Sequence, residues 1–156
     1  MRRVTAGQPH VETAAGVGVS IGSHSTTAVL RAYGDIENIA FLSPYFPAAN
    51  EQVQKYFEDS GFKIVREVAL KCPTWTAIAE VTPDTLRAVV DDLNGPDVDA
   101  LVQVGTNLPM ARLAAELEQS LGKPVVAINT ATYWHALRKN DITDKVAGFG
   151  RLLEEF

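Results

Sequence analysis

Short apolar runs that stop at turn residues, each followed by a stretch with helical spacing, recur along this chain and constrain its fold more than any other feature. Ile39 to Ser43 is an unbroken apolar run halted by Pro44-Tyr45-Phe46-Pro47, as expected for a strand buried on both faces. A helix is predicted over Ala48 to Ser60, with Ala49, Val53, Tyr56, Phe57 and Ser60 on one face and Gly61 as its stop. Ile64, Val65, Val68 and Leu70 give 63–70 strand character, and 71–81 reads as irregular. Thr82-Pro83 opens the next helix as N-cap and first-turn proline, and Leu86, Val89, Val90 and Leu93 form its buried stripe.

The same pattern continues to the end. Leu101 to Val104 predicts a buried strand that runs through Gly105-Thr106-Asn107 into a helix starting near Pro109 or Met110. Met110, Leu113, Ala114, Leu117 and Leu121 then repeat at helical spacing until Gly122. A strand over Pro124 to Asn129, a helix over Ala131 to Lys139 and a short terminal helix within Val146 to Phe156 complete the series. Upstream, a strand is predicted near Val17 to Ile21, then a helix over Thr26 to Tyr33 with Ser25 as N-cap and Gly34 as C-cap. Residues 1–16 form a poorly defined N-terminal segment, with a flexible Arg2-Arg3 pair and a last helical turn over Val11 to Ala15. Five strand–helix alternations imply a doubly wound α/β fold, a mostly parallel sheet with helices on both faces. At 156 residues this is a single domain, 1–156, with the lobe proper over 17–156.

Composition narrows the function classes. A net charge of −5, with no lysine/arginine cluster beyond the Arg2-Arg3 pair at the N-terminus and Arg138-Lys139, argues against a nucleic-acid module. The lone cysteine, Cys72, excludes an internal disulfide framework and a cysteine-rich metal site. No apolar run matches a membrane span, and the N-terminus lacks the apolar core of a signal peptide. A soluble, cytoplasmic protein without membrane partners is the expectation. His10, His24 and His135 show no metal spacing, and neither a Gly-x-Ser-x-Gly elbow nor a Walker loop occurs. Gly16-Val17-Gly18-Val19-Ser20-Ile21-Gly22 has the look of a dinucleotide loop, but its glycines fall within the predicted strand. The second strand also ends in Leu42-Ser43 where a ribose-binding acid belongs, so a nucleotide-binding domain is the weakest of the functional readings.

Chemistry concentrates at strand ends. Ser43-Pro44-Tyr45, Val104-Gly105-Thr106-Asn107 and Asn129-Thr130-Ala131 project toward one rim, and all three are uncharged hydrogen-bonding clusters. Such a rim suits a carboxylate or phosphate held by neutral donors, with backbone amides carrying the negative charge. Gly105 lets a ligand approach the backbone, and Tyr45 offers a phenol as hydrogen-bond or proton donor. In the plainer reading, Asn107 and Asn129 cap helices and Tyr45 packs.

Several short motifs, in order, resemble the maleate cis-trans isomerase and arylmalonate decarboxylase family, a branch of the Asp/Glu racemase superfamily. They are Ser25-Thr26-Thr27-Ala28, Leu42-Ser43-Pro44-Tyr45 followed by Asn50, and Gly105-Thr106-Asn107-Leu108. Gly122-Lys123-Pro124-Val125-Val126 with Asn129, Trp134-His135-Ala136-Leu137-Arg138 and Gly148-Phe149-Gly150-Arg151-Leu152 continue the series. The resemblance implies a two-lobed enzyme that needs no cofactor, of which this chain matches the second lobe and C-terminal tail. It places Gly105 at the position of the second-lobe cysteine, and Cys72 does not align there. What it leaves is the carboxylate-holding half: Tyr45, Asn50, Gly105, Thr106 and Asn107 around a small mono- or dicarboxylate. The expected activity is isomerase or decarboxylase chemistry. The rival is a non-catalytic or incomplete half-site that binds a carboxylate, or that assembles with a partner lobe or as a homo-oligomer.

Overall fold

The computed structural model describes residues 2–156, with side chains from Gly7 onward, so Met1 and the Arg2-Arg3 side chains lie outside it. Four strands form one all-parallel sheet: β1 (Asn38–Ser43), β2 (Lys63–Ala69), β3 (Ala100–Gln103) and β4 (Val125–Ala127), in the order β2-β1-β3-β4. The helices are α1 (Arg2–Ala15), α2 (Gly22–Tyr33), α3 (Pro47–Asp59), α4 (Trp75–Ala79), α5 (Pro83–Leu93), α6 (Ala111–Leu121), α7 (Ile128–Arg138) and α8 (Arg151–Glu154).

Strand alternation sorts the core into two layers. Ile39, Phe41, Ala100 and Val102 face one side, where Val29 and Leu30 of α2, Phe57 of α3, Trp134 of α7 and Leu152 of α8 cover them. Ala40, Leu42 and Leu101 face the other, beneath Ile78 of α4, Leu86 and Val90 of α5 and Leu113 and Leu117 of α6. The doubly wound fold expected from the sequence is therefore present. The tail is fastened by the buried Glu118 carboxylate, which accepts from Tyr33 Oη at 2.7 Å and from the Arg151 N–H at 2.9 Å. No described helix is long and apolar enough to cross a membrane.

Four local expectations are corrected. Residues 17–21 form no strand: side chains take the hydrogen bonds that a ladder would have made. Asn140 pairs with both the N–H and the C=O of Gly18, and Glu12 and Gln8 bind the two backbone groups of Val19. Lys139 Nζ bridges Val19 O and Glu12, and holds that carboxyl at a pKa of about 2. Gly18 thus packs against Lys139 at the end of α7, and Gly22 against Ile128 at its start. Ser25 sits inside α2, whose N-cap is Ile21. Its hydroxyl lies 2.8 Å from Ile21 O, 2.7 Å from Ser20 Oγ and 3.0 Å from His135 Nδ1. The fifth predicted strand stops at Ala127, so α7 starts at Ile128 and takes in Asn129. The segment read as irregular holds α4, capped by Thr74 Oγ1, which accepts from the Ala77 N–H. The Thr82 cap with Pro83 and the Gly34 C-cap stand as expected.

Two outcomes follow. Leu101, fully buried at the middle of β3, should cost about 3–4 kcal/mol when cut to alanine, read by urea unfolding. Asp99 accepts from the N–H groups of Asn38 at 2.7 Å and Glu37 at 3.1 Å, which holds its carboxyl below the usual range. A depressed folded pKa gives stability that is present above the unfolded value near 3.9 and lost as pH falls through the folded one. Asp99→Asn should therefore cost about 1 kcal/mol near neutral pH, discounted for its exposure. That deficit should fade below about pH 4 in denaturant melts.

Candidate functional site

The winding of the chain opens a crevice at one place. From β1 the chain crosses to β2 through α3 on one face; from β3 it crosses to β4 through α6 on the other. Adjacent strands whose exits diverge leave a gap beyond their C-terminal ends, where ligands of such sheets collect. Here the gap lies between the loop after β1, with Tyr45, and the loop after β3, with Gly105.

Both loops are held by buried polar groups. Tyr45 is pinned at its N–H by Ser43 Oγ (3.1 Å) and at its carbonyl by the N–H of Lys71 (3.1 Å). Ser43 Oγ donates in turn to the carbonyl oxygen of buried Asn50, whose amide nitrogen donates to Glu67. Both ends of the Asn50 amide are thus occupied within the protein, fixing the start of α3 to the sheet. Across the gap, buried Gln103 donates to Gly105 O at 2.7 Å, the Leu108 N–H reaches the same oxygen at 3.2 Å, and Asn129 Nδ2 donates to Thr106 O at 2.9 Å. The carbonyls are tied back while the amides of Gly105, Thr106 and Asn107 have no acceptor among the described residues. Thr106 and Asn107 are exposed on the rim, and Asn107 caps no helix: α6 begins at Ala111 after Met110.

Gly105 is there for steric reasons. Its φ is +97°, and a Cβ built on it would lie 2.5 Å from Pro44 Cδ and 3.6 Å from Tyr45 Oη. The Tyr45 phenol therefore stands beside the loop that offers the free amides. It has no hydrogen-bond partner among the described residues, and burial pushes its pKa above the usual 10, so it remains a neutral donor at ordinary pH.

Tyr45 also forms one wall of a cavity of about 320 Å³. Ser23, Thr26 and Gln52 give it polar atoms, while Val53, Phe57, Val104 and Ile128 make its apolar depth. Helix α2 opens onto it without a side-chain cap, leaving first-turn amides available. Ser23 and Gln52 escaped notice in the sequence; Gly22-Ser23 marks the entry to α2 only once Ile21, not Ser25, is known to be the cap. Cys72 lies in a second cavity of about 290 Å³ on the far side of Tyr45, and burial raises its thiol pKa. Among the described residues no group of three His, Cys, Asp or Glu side chains is placed to hold a metal ion. The arrangement can hold an anion by neutral donors and stabilise charge that develops on it.

Known proteins give the geometry its context. The family model for arylmalonate decarboxylase matches residues 6–153. A maleate isomerase of Pseudomonas putida is 35% identical over 122 residues, 75% of this chain and 47% of that protein. Its counterpart from Nocardia farcinica is 31% identical, over 78% of this chain and 49% of that one. This chain thus spans about half the length of the maleate isomerases it matches. Among solved structures, arylmalonate decarboxylase superposes with a TM-score of 0.86 at 25% identity, over 97% of this chain and 68% of that one. A cysteine-to-serine mutant of the Nocardia farcinica maleate cis-trans isomerase, with a covalently bound succinylcysteine intermediate, also gives 0.86, at 28% identity and over 97% and 64% of the two chains. With its sheet, its motifs and nearly its whole length accounted for in this way, the chain belongs to the arylmalonate decarboxylase family.

Proposed function

We propose that this chain binds a small carboxylic acid in the crevice between β1 and β3, as the carboxylate-holding lobe of a cofactor-independent isomerase- or decarboxylase-type enzyme. The observation that carries the reading is the trio of unpaired amides at Gly105, Thr106 and Asn107 on a loop that lies beside an unpaired Tyr45 phenol. Neutral donors of this kind bind a carboxylate and gain strength as it becomes an enediolate, the species formed when a malonate loses carbon dioxide or an acid loses its α-proton. The apolar depth of the adjoining cavity favours an acid bearing an apolar substituent over a bare dicarboxylate such as maleate.

The relative with a succinylcysteine intermediate works through a cysteine thiol, and the family resemblance puts Gly105 at the second-lobe cysteine. A glycine neither transfers a proton nor forms an adduct. A proton step on this chain alone therefore falls to Tyr45, and an adduct needs a thiol from elsewhere. The second reading, a half-site that binds without reacting, rests on the same glycine.

Melting temperature against phenylmalonate, malonate and maleate tests the site. Saturable stabilisation is expected, strongest for phenylmalonate, and about 2.7 kcal/mol at a hundredfold excess over Kd. Tyr45→Phe, which removes the phenol, and Asn107→Pro, which removes that residue's N–H, should each weaken binding about tenfold while keeping a cooperative unliganded melt. No shift from any of the acids, or equal shifts in both variants, would overturn the assignment. Gly105→Cys should lower stability by about 2 kcal/mol or more, from the positive φ and the Pro44 contact. Denaturation showing no loss would mean that the loop accepts a thiol readily.

A further inference from the structure

Two hydroxyls at the entry of α2 converge on one histidine of α7. Ser25 is fully buried, and its Oγ lies 2.8 Å from Ile21 O, 2.7 Å from Ser20 Oγ and 3.0 Å from His135 Nδ1. Ser20 Oγ lies in turn 2.8 Å from Thr132 O. Each of these contacts needs a proton of its own, and the two hydroxyls bring one apiece. An N–H at His135 Nδ1 supplies a further one. The tautomer that fills most of the cluster therefore donates to Ser25 and leaves Nε2 as the titrating nitrogen.

The cluster brackets the part of α2 that meets the candidate site. Ser20 and Ser25 stand on either side of Gly22 and Ser23, and Ser23 and Thr26 line the 320 Å³ cavity together with Ile128, the first residue of α7. Gly22 packs on that same Ile128, where an added Cβ would come within 3.0 Å of its side chain. Asn129, next along α7, holds the Thr106 carbonyl. Helix α7 thus serves both the amide loop and the α2 wall, and its bonds to the α2 wall run through Thr132 and His135.

We infer that His135 is a positioning residue for the acid-binding cavity: through Ser25 and Ser20 it sets the place of the α2 wall, and its protonation loosens that wall and weakens binding of the acid. This rests on the reading of the crevice as an acid site and adds a pH control to it. The charged and titratable groups around the ring are Lys139 one turn along α7 and His24 on α2, while Glu12 of α1 is already paired with Lys139. Burial, then Lys139, then His24 hold the His135 pKa below its ordinary value, because a further positive charge there is unfavourable. A histidine pKa depressed by folding gives stability that is complete above the unfolded value near 6.5 and is lost as pH falls through the folded one. An imidazolium lowers its energy by moving toward water and away from Lys139, and Ser25 then loses its donor.

An NMR titration of the unliganded chain from about pH 8 to about pH 5 tests the clamp without any acid. The Gly22, Ser23 and Ile128 amides should shift with the His135 ring at one midpoint below 6.5. His24→Gln, at a side chain that makes no bond in the cluster, should raise that midpoint. Amides that ignore the ring, or a midpoint at or above the ordinary value, would overturn the inference. Phenylmalonate affinity then tests the positioning. His135→Asn offers Nδ2 as a donor in place of Nδ1 and does not titrate, whereas His135→Leu offers none. Wild-type affinity relative to His135→Asn should fall about threefold or more between about pH 7.5 and about pH 5.5, a ratio that cancels the acid's own titration. His135→Leu should bind weakly at both. Equal pH profiles for the wild type and His135→Asn, or full affinity in His135→Leu, would sink the positioning role. If no acid binds any variant, the acid reading fails, while the amide titration still decides whether His135 holds the α2 wall.

Discussion

The parallel pairing of β1 with β3 is the constraint on which the rest of the structure depends. Residues 39–42 lie against 100–103 in unbroken register, at the centre of the sheet, with every side chain of both segments buried. Because successive side chains alternate across a strand, this pair supplies apolar surface to both layers at once. Helices are thereby required on both faces. The chain meets that demand by leaving β1 on one side and β3 on the other, and the crevice that holds Tyr45 and Gly105 is a by-product of those opposite exits.

Within the crevice, polarity has been arranged so that acceptors are consumed and donors are not. Gln103 and Asn129 tie down the carbonyls of Gly105 and Thr106, and Ser43 with Asn50 fixes the turn that carries Tyr45. Burying Gln103 and Asn50 would be costly without partners, so the pairing of Gln103 with the Gly105 carbonyl and of Asn50 with Ser43 and Glu67 both stabilises the loops and sets which groups face outward. The Pro44 ring packed against Gly105 completes the arrangement: it keeps the β1 loop close to the amides, and in doing so closes the space where a side chain at position 105 would stand. The nearness of the two loops and the absence of a side chain at position 105 are two faces of one contact.

Surface charge complements this design. The salt bridges Lys55–Asp59, Arg66–Asp97, Arg87–Glu116 and Arg151–Glu155 lie at the surface, on helices, loops and the edge strand β2, where each contributes little by itself. None of these charged residues lines the two cavities on either side of Tyr45, whose polar atoms are all uncharged.

The sequence by itself determined the fold class and the position of the rim, because both follow from local rules. Buried parallel strands read as continuous apolar runs, Thr82-Pro83 and Gly34 mark helix ends through their own backbone chemistry, and strand ends in such folds always share an edge. Where the outcome turned on partners far along the chain, the sequence was silent or misleading. Residues 17–21 have strand composition but lie against α1 and α7, because Asn140, Lys139, Gln8 and Glu12 claim their backbone groups. Ser25 looks like a cap but is drawn inside α2, where it meets His135, 110 residues away. Asn50 looks like a ligand for substrate, yet Ser43 and Glu67 occupy both ends of its amide. Whether an amide or hydroxyl faces a ligand or another residue is a matter of which donors remain unpaired after folding, and only the tertiary structure decides that.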